Sequence, residues 1–330
     1  MEEQQKLFSV IIPCHNSVQY LYACYESLVK QTIGMEALDI IFVDDASTDA
    51  TFELLCMMEQ QFPDSVTVIR LEENMRQGGA RNIALQYARG EYISFLDSDD
   101  RIAFHMYERI REVIEQYTPD IIKIGHDRIL ENGQVIKEYP LQKSGYHEIQ
   151  EEIQRRRLLM EETLDYGCWN KIYKKTLCDA VGSAFAEHVL YEEPKFTYPL
   201  HFYVNSYYLL DEILYHYTYN REGSMQKEMK DNNRLADHVS VQAQTWDYLH
   251  ARLEPALWKT FVKEIEAYFL KSYFCETFLF AKWGGHEIPE ALRDEMRQWV
   301  NQRFPRFREN VYVQKFLPQE HKEVLDCYLE

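Results

Sequence analysis

No uncharged apolar stretch in this chain approaches the 18 residues that a membrane-crossing helix needs. The first residues, Met1-Glu2-Glu3-Gln4-Gln5-Lys6, have no apolar core, so no secretory signal is expected from them. The seven cysteines (14, 24, 56, 168, 178, 275 and 327) include no C-x-x-C pair. An odd, dispersed set fits reduced thiols in a cytoplasmic setting and argues against a cysteine zinc site. Basic residues, 36 Lys and Arg, are outnumbered by 54 Asp and Glu. The formal net charge of −18 argues against nucleic acid as a partner and against simple electrostatic adhesion to anionic membranes. There is no internal repeat, no low-complexity linker, no G-x-G-x-x-G and no Walker P-loop, so neither a dinucleotide site nor a P-loop ATPase is supported.

What is present is an acidic pattern placed after buried strands. Ile40-Ile41-Phe42-Val43 leads into Asp44-Asp45, and Tyr92-Ile93-Ser94-Phe95-Leu96 leads into Asp97-Ser98-Asp99-Asp100. Such continuous apolar runs suit strands buried on both faces, and acids at their carboxyl ends converge on the ligand-binding edge of an open α/β sheet. A carboxylate cluster there repels itself unless a cation joins it. Asp97 and Asp99, flanking the small Ser98, could share Mn²⁺ or Mg²⁺ together with substrate phosphates. Taken alone, D-x-D is more often an Asp-rich turn or cap.

Further strands are expected at Ser9–Ile12, Val66–Ile69 and Ile121–Ile124, with helices between them. This alternation predicts an α/β fold with a mostly parallel, doubly wound sheet covered by helices on both faces. Asn132-Gly133 between apolar pairs reads as a hairpin, and residues 147–165 as helical. From about Leu235 the spacing is helical to the end, with Leu235, Val239, Gln242, Trp246, Leu249 and Leu253 on one face. Two units are expected: 1–225, carrying the chemistry, and a helical 226–330 of unknown role. The helical part could pack on the first unit, mediate a homodimer or touch a membrane surface. The 24 tyrosines suit core and interface packing, with platforms for sugar rings as the sharper alternative.

Gly78-Gly79 joins a strand to a helix, where close backbone approach and anion binding are favoured. Arg81 in that helix could pair with the acids or reach a nucleotide. Paired acids after a strand also occur in receiver domains, but that fold is much smaller and has no use for the second cluster.

In order along the chain, Ser9-Val10-Ile11-Ile12-Pro13-Cys14-His15-Asn16, Val43-Asp44-Asp45-Ala46-Ser47-Thr48-Asp49, Gly79-Ala80-Arg81-Asn82, Gly90 through Asp100, Trp169-Asn170-Lys171, Glu192-Glu193-x-x-Phe196 and Tyr217 through Ser224 resemble the inverting glycosyltransferases of family 2. These have a GT-A fold. The resemblance covers roughly residues 7–225 and implies a transferase of the hexosyltransferase class with a nucleotide-sugar donor, expected to be a UDP-sugar. It also implies a glycan or lipid-linked acceptor and a divalent metal, in polysaccharide biosynthesis. By matched position, Pro13, His15, Asn16 and Asp45 line the base and ribose, with Arg81 beside the base-binding acids. Asp97 and Ser98 lie by the ribose, Asp99 is the direct metal ligand with Asp97 beside it, and Arg221 and Ser224 close on the diphosphate. The chain departs from the pattern at His15, at Ala46 in place of a glycine, and at Glu192-Glu193 in place of Glu-Asp. Glu193 is the first candidate for catalytic base and Glu192 the second. A cytoplasmic enzyme, peripheral at the inner membrane face, is expected. The other readings are a non-catalytic nucleotide-sugar-binding scaffold or sensor, and a nucleotidyltransferase, for which the N-terminal Gly-rich signature is missing.

Overall fold

The computed structural model describes residues 6–161, 163–219 and 233–329. In chain order, the first elements are β1 (Phe8–Cys14), α1 (Val18–Val29), β2 (Leu38–Asp44), α2 (Thr51–Gln61), β3 (Val66–Arg70), α3 (Arg76–Leu85) and β4 (Tyr92–Phe95). They are followed by β5 (Arg101–Ile102), α4 (Met106–Tyr117), β6 (Ile121–Ile129), β7 (Val135–Tyr139), β8 (Gly145–Glu148) and α5 (Glu152–Glu161). Then come β9 (Lys171–Lys174), α6 (Lys175–Val181), α7 (Glu193–Leu200) and β10 (Ser206–Thr218).

The ten strands form one sheet in the order β3-β2-β1-β4-β9-β6-β10-β5, with β7 on β6 and β8 on β10. The first four strands pair in parallel, as the alternating pattern predicts. The second half is mixed. β9 enters antiparallel between β4 and β6, so the strand at Ile121–Ile124 is not the next neighbour of β4. The Asn132-Gly133 hairpin forms as expected between β6 and β7. Successive side chains of a strand point to opposite faces. Val10, Ile12, Ile40 and Phe42 therefore pack with α1, α2 and α4, whereas Ile11, Ile41 and Val43 pack with α3, α6 and α7. Both faces are covered, which is why the strands read as continuous apolar runs.

The remaining elements are helical: α8 (Asn233–Arg252), α9 (Pro255–Phe269), a π-helical turn at Leu270–Cys275, α10 (Glu276–Gly284), α11 (Glu290–Arg303), α12 (Val311–Phe316) and α13 (Gln319–Tyr328). Their core is continuous with Tyr198 and Phe202 of the α7 region and with Leu159 of α5. The Tyr198 and Tyr268 rings stack with centroids 3.7 Å apart. Buried Glu264 of α9 pairs with Arg156 of α5. The helical region thus packs on the helix that Glu193 starts. Among the described residues no helix is long and apolar enough to cross a membrane.

One close approach positions everything that follows. A Cβ at Gly78 would lie 1.9 Å from the Ala186 carbonyl oxygen and 3.0 Å from the Glu192 Cβ. Only glycine lets the segment before α7 seat on the start of α3. Gly78→Ala is expected to cost about 1–3 kcal/mol by overpacking, read as a lowered urea midpoint. An unchanged midpoint would show that the segment does not seat there.

Candidate active site

Two loops form the carboxyl edge of β1 and β2, and hydrogen bonds lock them together. Asn16 Oδ1 accepts from Thr48 N (2.8 Å) and Asp49 N (3.3 Å), and Asn16 N donates to Ser47 Oγ (3.0 Å). Asn16 holds a left-handed φ of 49°, a conformation that asparagine tolerates better than most residues. Ala46 holds φ 54°, where an L side chain carries about 1–2 kcal/mol of strain. The glycine of the family pattern would not carry that cost. Pro13 is buried in β1 and His15 projects beyond it. The His15 Nδ1–H donates to the Asp45 carbonyl at 2.7 Å, which leaves Nε2 to accept from Asn16 Nδ2 at 3.2 Å. Asp45 is buried, and its Oδ1 accepts from Met75 N at 2.7 Å. Burial raises its pKa, while the Met75 N–H opposes the rise. Pro13, His15, Asn16 and Asp45 therefore come together at one end of the sheet.

The second acidic run turns sharply after β4, with Asp100 N bonded to the Asp97 carbonyl at 3.0 Å. Ser98 Oγ lies 2.9 Å from Ser17 Oγ, tying this turn to the first loop. Asp97 and Asp99 are both partly exposed on the turn. Asp100 is buried and accepts from Tyr215 Oη (2.6 Å) and Thr218 N (2.7 Å) of β10. Burial, and then the charges of Asp99 and Asp97, push its pKa well up. The three carboxylates crowd one another as expected. Asp100 acts as the anchor, and only Asp97 and Asp99 are left facing outward. Among the described residues there is no cluster of three or more His, Cys, Asp or Glu side chains able to enclose a metal. A site of one or two carboxylates completed by substrate phosphates suits Mg²⁺ or Mn²⁺, and this donor set fits such an ion.

Arg81 sits at the centre, with 1% of its surface exposed. It does not pair with Asp45. Nη2 donates to Asp97 Oδ1 at 2.6 Å, and Nη1 pairs with Glu192 Oε1. Burial disfavours its charge, yet Cys168, Asp97, Glu192 and Glu193 together hold its proton more tightly than usual. One guanidinium therefore joins the D-x-D turn to a segment 95 residues further along, at Glu192. Asn82, one residue on, clamps the same segment by accepting from Phe185 N (2.8 Å) and donating to the Phe185 carbonyl (3.1 Å).

The two glutamates separate in role. Glu192 is 4% exposed and engaged by Arg81. Glu193 is partly buried at the first position of α7, and its Oε1 accepts from Cys168 N at 2.8 Å. Burial and then Glu192 raise its pKa to about 7, against the pull of Arg81 and the Cys168 N–H. Cys168 is held in turn by Lys171. The buried Lys171 Nζ bonds the Gly167 carbonyl (2.5 Å), Asp165 Oδ1 (2.7 Å) and Asn170 Oδ1 (2.8 Å). Arg221 and Ser224 lie outside the described residues.

Several supporting residues escaped the sequence reading. Asp100 was visible in the acidic run but without a role. Tyr215, Lys171 as a brace and Asp237 of α8 gave no signal. Asp237 Oδ2 accepts from Arg76 Nη1 (3.0 Å) and Leu190 N (3.2 Å), joining the helical region to both sides of the site.

The chain is 28% identical over 300 residues to the poly(ribitol-phosphate) beta-N-acetylglucosaminyltransferase TarS of Staphylococcus aureus, a match covering 89% of this chain and 48% of that protein. It is also 28% identical over 234 residues to the minor teichoic acid biosynthesis protein GgaB of Bacillus subtilis, covering 69% of this chain and 24% of GgaB. This chain thus spans about half or less of the length of these curated relatives. The crystal structure of S. aureus TarS 1–349 in complex with UDP shares the fold, with a TM-score of 0.64 at 24% identity over 89% of this chain and 78% of that one. The sequence model for Glycosyl transferase family 2 matches residues 9–182, and with the GT-A fold in place the chain belongs to that family.

Proposed function

We propose that this chain transfers a sugar, with inversion, from a nucleoside-diphosphate donor to a hydroxyl of a glycan or lipid-linked acceptor. The observation that carries this reading is the Asp97–Arg81–Glu192 bridge, which sets a carboxylate with a pKa of about 7 beside the D-x-D turn. A UDP-sugar is the donor we favour, since UDP occupies the related TarS structure. Residues 1–225 would bind the donor and do the chemistry, and 226–330 would brace the acceptor side. The seven free thiols suit a cytoplasmic setting.

In this reading Pro13, His15, Asn16 and Asp45 line the base and ribose, and Asp97 and Ser98 border the ribose and diphosphate. Asp99, with Asp97, would hold a divalent ion, Mn²⁺ or Mg²⁺, whose charge stabilises the departing diphosphate. Arg221 and Ser224 would close over it. Glu193 takes the proton of the acceptor hydroxyl as that oxygen attacks the anomeric carbon from the face opposite the leaving group. A base works best with a pKa near the working pH. Burial beside Glu192 supplies that tuning. Glu192 remains bound to Arg81 and acts through position and charge.

Five outcomes are expected. A panel of nucleotide sugars, read by nucleoside diphosphate release, gives turnover with a UDP-sugar and Mn²⁺; no release from any donor would remove the enzyme reading. Asp99→Ala loses Mn²⁺-dependent donor binding in calorimetry. Glu193→Gln keeps donor binding but loses roughly 10²–10⁴-fold in transfer, and transfer equal to the parent would exclude Glu193 as base. Transfer rises with pH and levels off above about 7, because the base must be ionised. Stability runs the other way. A carboxyl whose pKa is raised on folding stabilises when protonated, and that contribution is lost as pH climbs from about 4.5 through about 7. Glu193→Gln should therefore melt higher than the parent at pH 8, with the gap closing by pH 5.

A further inference from the structure

A charged cluster that the transfer chemistry does not use lies one peptide group from the proposed base. Lys123 of β6 and Lys171 of β9 stand directly opposite each other in antiparallel register. Opposed like charges on one sheet face destabilise the pairing, and Asp165 reconciles them. Its Oδ1 accepts from Lys171 Nζ at 2.7 Å and from Gly167 N at 3.2 Å. Its Oδ2 pairs with Lys123, whose Nζ also donates to the Thr163 carbonyl at 2.9 Å. Lys171 is 1% exposed. Burial lowers its pKa, and Asp165 opposes the fall. Buried His201 adds no charge here, because burial and then Lys171 lower its pKa to about 3. A buried ammonium is costly to the fold, and an apolar side chain would fill the same space without that cost.

A third bond gives the ammonium a task. Lys171 Nζ donates to the Gly167 carbonyl at 2.5 Å. At the other end of the same peptide group, the Cys168 N–H donates to Glu193 Oε1 at 2.8 Å. No cis peptide bond occurs among the described residues. A trans peptide is planar, with its C=O and N–H pointing in opposite directions. One rigid unit therefore carries an ammonium at its oxygen and the proposed base at its nitrogen. A cation on the carbonyl oxygen polarises the amide and strengthens its N–H as a donor. It also fixes the plane, so that the N–H stays aimed at the carboxylate. A donor to the charged form favours ionisation. In Glu193 this bond and Arg81 work against burial, Glu192 and Asp97. The Cys168 thiol and the Tyr173 phenol also face Glu193, and burial pushes both pKa values well up, so they stay neutral.

We infer that Lys171, set in place by Asp165, is a positioning residue for the base, acting across the Gly167–Cys168 peptide to hold the N–H that Glu193 accepts from. This rests on the proposed role of Glu193 in transfer. Lys123 balances Asp165 but bonds the Thr163 carbonyl, not that peptide.

The test compares the full-length parent, Glu193→Gln, Lys171→Met and the double variant by thermal melting at pH 5 and pH 8.5. Loss of the relay raises the Glu193 pKa, so the ionised carboxylate costs the fold more at high pH. The melting gain of Glu193→Gln at pH 8.5 over pH 5 should therefore be larger in the Lys171→Met background. Equal gains in the two backgrounds overturn the inference. In UDP release from a UDP-sugar with Mn²⁺, Lys171→Met should move the acid limb up by about one pH unit, the size of a weakened hydrogen bond to a charged group. Release should then be roughly 10-fold slower at pH 6 and converge with the parent above pH 9, with the UDP-sugar KM unchanged. Lys123→Met should move the limb far less, and an equal shift in both variants overturns the inference and assigns the effect to the net charge of the cluster. Where Lys171→Met does not fold, Lys171→Gln, which keeps a neutral donor, should move the limb up by less, and an unmoved limb overturns it. Absence of turnover with every donor removes the transferase reading instead, and the melting comparison still decides the role of Lys171.

Discussion

The arrangement of the site depends on one buried guanidinium. Burying Arg81 without partners would cost several kcal/mol, and burying carboxylates beside each other would cost more. Placing Arg81 between Asp97 and Glu192 resolves both problems at once. It also fixes a distance that the backbone alone does not. The D-x-D turn ends a strand of the parallel half-sheet, and Glu192 lies on a separate segment packed on the other side of α3. The guanidinium is the common ruler. Gly78, whose missing side chain lets the segment seat, and Asn82, which clamps Phe185, sit within four residues of Arg81 on the same helix. One short helix thus carries the contact, the spacer and the clamp.

That construction separates two adjacent glutamates that the sequence ranks by motif position alone. Glu192 is held in the ion pair. Glu193, at the first position of α7, keeps a carboxyl that burial and its neighbour hold close to neutrality in pH. Its remaining fixed partner is a backbone N–H at Cys168, in a loop that Lys171 holds from within. A carboxylate that is ionised near pH 7 yet poorly solvated is costly to the folded state, and the packing of the C-terminal helices on α7 offsets that cost. The Tyr198–Tyr268 stack and the Arg156–Glu264 pair are the contacts through which they do it.

The sequence was most readable where chemistry and secondary structure share a short segment. The runs ending at Asp44-Asp45 and Asp97–Asp100 declared both a strand and an acidic edge, and the parallel half-sheet follows from them. β9 was not legible, because Lys171-Ile172-Tyr173-Lys174 is too short for a pattern to distinguish parallel from antiparallel pairing. β10, a 13-residue strand with register irregularities beside Leu210 and Ile213, broke the alternation that would have announced it. Asp100 belonged to a visible cluster, but its partners lie 115 and 118 residues away. Arg81 was a candidate partner for the acids and does reach Asp97, but its second partner, Glu192, lies 111 residues distant and gave no signal. Spacing along the chain carries no information about such contacts.

The helical region follows the same logic from the other direction. Its periodicity announced helices, and nothing in it announced a function. What the fold adds is contact. Asp237 and His238, neighbours on one helix, hold Leu190 and Tyr191, and Asp237 also reaches Arg76 beside the Asp45 loop. Through Asp237, α8 contacts both the start of α3 and the segment that leads into Glu192. The segment around Glu192 is thus held jointly by Arg81 of the α/β sheet's helix α3 and by the helices that follow.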